Sequence, residues 1–202
     1  MTAQRMLSEI VKGLTNEARR FDFVVRGQTM RREEGDIVGI IAIDRDRSGN
    51  SKDRICFGLT MNVCHMRYHH VVNRDPYPGD EIGSGLFNED TGSFRGFPRQ
   101  RFPWVVDERA NVGNIIDDAV QVLRDVAIPT VAKLLSEQDF KNYLADLVES
   151  GDALLTHRLC LCMLLKEFGE SSELKKLVED TKTEFPNHRF AIQRILHRLG
   201  GY

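Results

Sequence analysis

Asp36-Ile37-Val38-Gly39-Ile40-Ile41-Ala42-Ile43 and Ile55-Cys56-Phe57-Gly58-Leu59-Thr60-Met61-Asn62-Val63 are two apolar runs joined by a polar segment, residues 44–53. In the second run Ile55, Phe57, Leu59, Met61 and Val63 occupy every other position, with Cys56, Gly58, Thr60 and Asn62 between them. That alternation sends five large apolar side chains to one face of a strand and small or polar groups to the other. The first run is apolar at both parities, the mark of a strand covered on both faces. Arg47-Ser48-Gly49-Asn50-Ser51 is turn chemistry, so the two runs predict an antiparallel hairpin with a long solvated loop.

Upstream, Leu7, Ile10, Val11, Leu14, Ala18 and Phe21 follow the i, i+3, i+4, i+7 spacing of a helix with one apolar stripe. Phe23-Val24-Val25 predicts a short strand and Gln28–Glu33 a second, more polar one, separated by a turn at Gly27. A lone hairpin is marginal in water, so this sheet needs the N-terminal helix on its apolar face. After Asp107 the period is helical to the end of the chain. Asn111 or Asn114 can cap the first helix, Pro129 should kink or restart it, and Ser136 can cap the next. Residues 153–168 are apolar nearly all round and predict a buried helix, with Gly169 as its stop. The expected fold is α+β: an antiparallel sheet of about four to six strands with the N-terminal helix on one face, then a C-terminal helical half. The expected division is 1–107 for helix plus sheet and 108–202 for the helical region, packed as one compact unit.

Composition excludes several functional classes. The 202 residues carry a net charge of −2, with 16 basic against 15 acidic side chains in residues 1–107 and 12 against 15 in residues 108–202. Neither half is a polycation, so overall charge gives no case for nucleic acid or an acidic membrane. Four cysteines do not make a disulfide framework in a chain of this size. No segment reads as a signal peptide or membrane helix, so the expectation is a cytoplasmic protein with reduced thiols and no membrane partner.

From Arg67 to Trp104 the periodicity vanishes, with Pro76, Pro78, Pro98 and Pro103 among five glycines. Two short apolar pieces, Ile82–Phe87 and Phe102–Val106, can add edge strands. Loops of this length inside a domain are often functional. Phe94, Arg95, Phe97, Arg99, Arg101, Phe102 and Trp104 interleave aromatics with arginines, and no acid occurs between Thr91 and Val106. Rings stack on bases or a partner's side chains, and guanidinium groups pair with phosphate or carboxylate. Phe94, Arg95, Phe97, Arg99, Arg101 and Trp104 are therefore the candidate binding residues. In the blander reading Phe102 and Trp104 anchor the loop and the arginines are solvated.

No metal or cofactor is expected. His65-x3-His69-His70 is the one histidine cluster, and it falls after a strand and before Pro76, where a solvated loop is the expectation rather than a helix. His157, Cys160 and Cys162 lie among leucines; on a helix the two thiols differ by about 200° of rotation and cannot face one ion. Asp44, Asp46, Asn50 and Asp53 lack the glutamate that would complete a calcium loop. His188, Arg189, Arg194, His197 and Arg198 form a C-terminal basic patch, most of which complements a helix dipole. With no nucleophile elbow, phosphate loop or facing carboxylate pair, an enzyme is not expected. An enzyme with a site around His65, His69, Asp75 and Asp80 is the weakest of the three functional readings.

The opening helix, Phe21-Asp22-Phe23, the strand with Met30-Arg31-Arg32, the strand from Asp36 to Ile43, Phe57-Gly58-Leu59-Thr60-Met61-Asn62-Val63 and the helix with Ile128-Pro129 together resemble the bacterial domain-of-unknown-function family 4304. The resemblance covers about residues 7–147 and brings no catalytic motif. It implies a small bacterial α+β domain, some members of which are suspected toxin-immunity or defence-associated proteins. The expectation is thus a non-catalytic module that binds a protein partner, such as a toxin or defence component, through the 67–104 loop. The alternative is a nucleic-acid-associated protein using the same residues.

Overall fold

A computed structural model describes residues 2–46, 48–72, 85–91 and 101–198. The fold is α+β, as the patterning requires. Helix α1 (Ala3–Arg19) leads into strands β1 (Val24–Arg26), β2 (Thr29–Glu34), β3 (Ile37–Arg45) and β4 (Ile55–His65). These four form a meander, and β5 (Phe87–Asp90) and β6 (Trp104–Val106) complete an antiparallel sheet. All of β4 is buried, and β3 is buried at Ile37–Ile41 and Ile43. Double-sided burial explains why β3 shows no alternation. Between β2 and β3 a two-residue turn, Gly35-Asp36, reverses the chain; Gly35 sits at φ +57°, where a side chain would be strained.

The outer edge of β4 is divided between two partners. β5 pairs with residues 60–63 and β6 with residues 55–57, both antiparallel. Gly58 and Leu59 fall between them, leaving a gap in the ladder.

The chain divides into two compact units, each discontinuous in sequence. The first comprises Met1–Glu33, Val38–Val63 and Phe87–Lys133. In it α1, capped by Thr2, buries Leu7, Ile10, Leu14 and Ala18 and packs against helix α3 (Val112–Val122). Asn111 caps α3 by accepting from the Asn114 amide at 3.2 Å. A π-helical turn, Leu123–Ala127, precedes helix α4 (Ile128–Leu134). Pro129 explains the widening: it lacks an N–H and its ring presses on the carbonyl four residues back, so the helix restarts rather than running through.

The second unit comprises Glu34–Ile37, Cys64–Leu86 and Leu134–Tyr202. It holds α2 (Met66–Val72), α5 (Glu137–Ser150), α6 (Leu155–Glu167), α7 (Ser171–Glu184) and α8 (Arg189–Arg198). Helix α6 is the hub: Leu159 to Leu165 are all buried, and α5, α7 and α8 pack around it. Helix α2 corrects the sequence reading, which placed His69 and His70 in a loop. Its seven residues are too few to be helical on propensity, but Tyr68 and His69 are buried in it, and that packing stabilises the turn. No helix among the described residues is long and apolar enough to cross a membrane.

Candidate functional site

The gap in the β4 edge is filled by the two ends of the segment that carries the arginine and aromatic residues. At one end the Thr91 hydroxyl donates to the Leu59 carbonyl at 2.9 Å and accepts from the Leu59 amide at 2.6 Å. Thr91 is fully buried, and its side chain substitutes for the missing strand partner. At the other end the Arg101 carbonyl lies against Gly58, so close that a Cβ there would collide with it. Three residues on, Trp104 stacks on Phe57 with ring centroids 5.2 Å apart and donates its Nε1–H to Asp118 at 2.7 Å. Thr91 and Arg101, the described residues on either side of 92–100, thus meet neighbouring residues of one strand.

Arg101 stands at the rim with its guanidinium exposed, 2.7 Å from the Asp44 carboxylate and 3.8 Å from that of Asp90, and 5.3 Å from the Phe102 ring centre. Trp104 is only 5% exposed. It is an anchor in the first unit rather than an open contact surface, because stacking on Phe57 and the bond to Asp118 both draw the indole inward. Phe94, Arg95, Phe97 and Arg99 lie outside the described residues, as do Asp75 and Asp80. Sequence reasoning missed the pins. Thr91 has no pattern around it, and Gly58 reads as one more small residue on the polar side of β4.

The histidines depart from expectation. His65 is 0% exposed and His69 is buried, so these two are not solvated loop residues; His70 is exposed. His65 ends β4, and neither of its ring nitrogens has a hydrogen-bond partner. An unsatisfied buried polar group costs about 1–3 kcal/mol. Burial, together with the charge of Arg67, pushes the His65 pKa down to about 4 against the opposing pull of Asp36, so the imidazole is neutral at pH 7. Around it in the second unit stand Asp36 and Glu137, which with His65 form a three-residue group of metal-ligand type. Glu167 is close enough to feel both carboxylates. Burial first, then Glu137 and Asp36, hold its carboxyl above the usual range, while its ion pair with Arg67 works in the other direction. In the sequence Asp36 reads as a turn residue and Glu137 as the first turn of a capped helix, so neither signals a ligand.

His157 has a structural role: its Nδ1 accepts from the Leu154 amide at 3.0 Å and closes the start of α6. Cys160 and Cys162 are buried, and burial pushes both thiols up, that of Cys162 to about 12. In the β3–β4 loop Asp46 accepts from the backbone and hydroxyl of Ser48, and Asn50 accepts from the Cys56 amide, so both act as turn residues.

No protein-family model matches the chain, and neither a curated protein nor a solved structure matches it.

Proposed function

We propose that the chain is a non-catalytic protein-binding module that presents residues of the 67–104 segment, Arg101 and the neighbouring Phe94, Arg95, Phe97 and Arg99 among them, to an acidic or aromatic surface of a protein partner. The observation that supports this reading is the pinning of Thr91 and Arg101 to adjacent residues of β4. A segment whose ends are already fixed loses less freedom on binding than a free one. The resemblance to family 4304 supplies the setting of the proposal, a bacterial cytosolic toxin-immunity or defence system. Trp104 enters it as the anchor that fixes one end of the segment. The nucleic-acid reading uses the same arginines, but a net charge of −2 gives it no support from overall charge.

The test is a pull-down with the full chain and a triple variant, Arg95→Ala, Arg99→Ala and Arg101→Ala. The expected result is loss of a stoichiometric protein partner without loss of fold. A variant that retains every partner of the wild type overturns the reading. Binding to single-stranded DNA that weakens steeply with salt would move the assignment to nucleic acid.

A further inference from the structure

We propose that Asp36, His65 and Glu137 form a binding site for one divalent first-row cation, of the zinc or manganese class. Each residue brings one ligand atom, and these atoms all lie within 4.8 Å of one another. Bonded to one ion at about 2.0–2.2 Å, three such atoms stand roughly 3–4 Å apart, so small rotations of two exposed carboxylates close the shell.

An acidic group at a surface is ordinary, and the observation that separates this one is the histidine. His65 is fully buried, and neither ring nitrogen is hydrogen-bonded, although one of them lies beside the two carboxylates. Native proteins rarely leave such a group without a partner. A neutral imidazole offers a lone pair, and a cation is the partner that both the lone pair and the carboxylates accept. The backbone positions the set beforehand. The Met66 amide donates to the Asp36 carbonyl at 2.7 Å, which fastens the Gly35-Asp36 turn beside the end of β4. Glu137 is the first residue of α5, behind a Ser136 cap that accepts from the Asp139 amide at 3.3 Å.

Charge points the same way. Asp36 and Glu137 bring two carboxylates within 4.8 Å of one another, so a divalent ion relieves the repulsion between them. One imidazole with carboxylates suits zinc, manganese or iron(II) rather than copper(I), which prefers sulfur ligands. Three protein ligands leave at least one position to water. The proposal stands apart from the binding reading and uses none of its residues.

The experiment is calorimetric titration of the full chain, stripped with chelator, against zinc chloride and separately manganese chloride. One ion per chain is expected. Asp36→Asn and Glu137→Gln change exposed residues and leave the fold intact by circular dichroism; each is expected to weaken binding by about tenfold or more. Histidine-detected NMR supplies a readout independent of affinity: one equivalent of zinc should shift the His65 ring resonances and leave those of His188 and His197 in place. Absence of binding by either metal, binding unchanged in both carboxylate variants, or zinc-induced shifts confined to other histidines would each overturn the proposal.

Discussion

The Thr91 hydroxyl makes two hydrogen bonds to one residue, accepting from the Leu59 amide and donating to the Leu59 carbonyl. A side chain therefore does the work of a strand where β5 and β6 both stop short. Thr91→Val keeps the shape and removes both bonds, leaving an amide and a carbonyl stranded in the core. Such groups cost about 1–3 kcal/mol each, so urea denaturation should show a loss of about 2–6 kcal/mol. Thr91→Ser keeps the hydroxyl and should lose less than half of that. A loss in Thr91→Val no larger than that in Thr91→Ser would show that the two hydrogen bonds contribute no more than the packing of the methyl group.

Trp104 offers a second measurement, because its ring and its N–H do separate things. Trp104→Phe preserves stacking on Phe57 and gives up the bond to Asp118, for an expected cost of about 1–2 kcal/mol. Trp104→Ala also empties the site and should cost about 3–5 kcal/mol. The Trp104 fluorescence of the wild type should be quenched little by iodide in the native state and strongly in urea. Strong native quenching would place the ring in water and contradict the anchor.

These two residues also show where the sequence is informative. Trp104 could be read as an anchor because a large ring beside an apolar pair, Val105-Val106, has few other uses. Ile55, Phe57, Leu59, Met61 and Val63 could be placed on one face because period two survives along the whole of β4. The Thr91 pin had no such signal: it depends on two residues 32 positions apart, and a hydroxyl in an irregular stretch looks like any other. Helix α2 was hidden for a related reason. Its stability comes from burying Tyr68 and His69 within its own unit, not from the propensity of Met66–Val72. Asp36, His65 and Glu137 each have an innocent local role as turn, strand end and helix start; only the fold brings them together.

The thiols should be silent in the folded protein. All four cysteines are buried and none is in a disulfide, and burial raises Cys160 and Cys162 well out of the range in which a thiolate forms near neutral pH. A disulfide-exchange reagent such as DTNB at about pH 8 should label none of them within minutes, and all four once guanidinium is added. Rapid native labelling of Cys160 or Cys162 would mean that α6 opens far more readily than its packing indicates.

Glu17 gives the acid limb of the stability curve. The residue is 6% exposed, yet it is ionised by its partners: Arg124 Nε lies 2.6 Å from one carboxylate oxygen and Arg20 Nη1 3.1 Å from the other. The hydrogen bond from Arg124, with the charges of both arginines, holds the carboxyl below its ordinary value of 4.5 despite the opposing effect of burial. The folded protein thus releases this proton more readily than the unfolded chain, and in acid the unfolded chain binds more of it. The stabilisation is complete above the ordinary carboxylate range and is lost as pH falls through the lowered native value. Glu17→Gln keeps a hydrogen-bond acceptor but cannot titrate. Urea midpoints at about pH 7 and about pH 3 should therefore differ less in Glu17→Gln than in the wild type, and the gap between the two proteins should narrow on acidification. A gap that stays constant over that interval would show that the ion pair between α1 and the π-helical turn contributes nothing to the acid response.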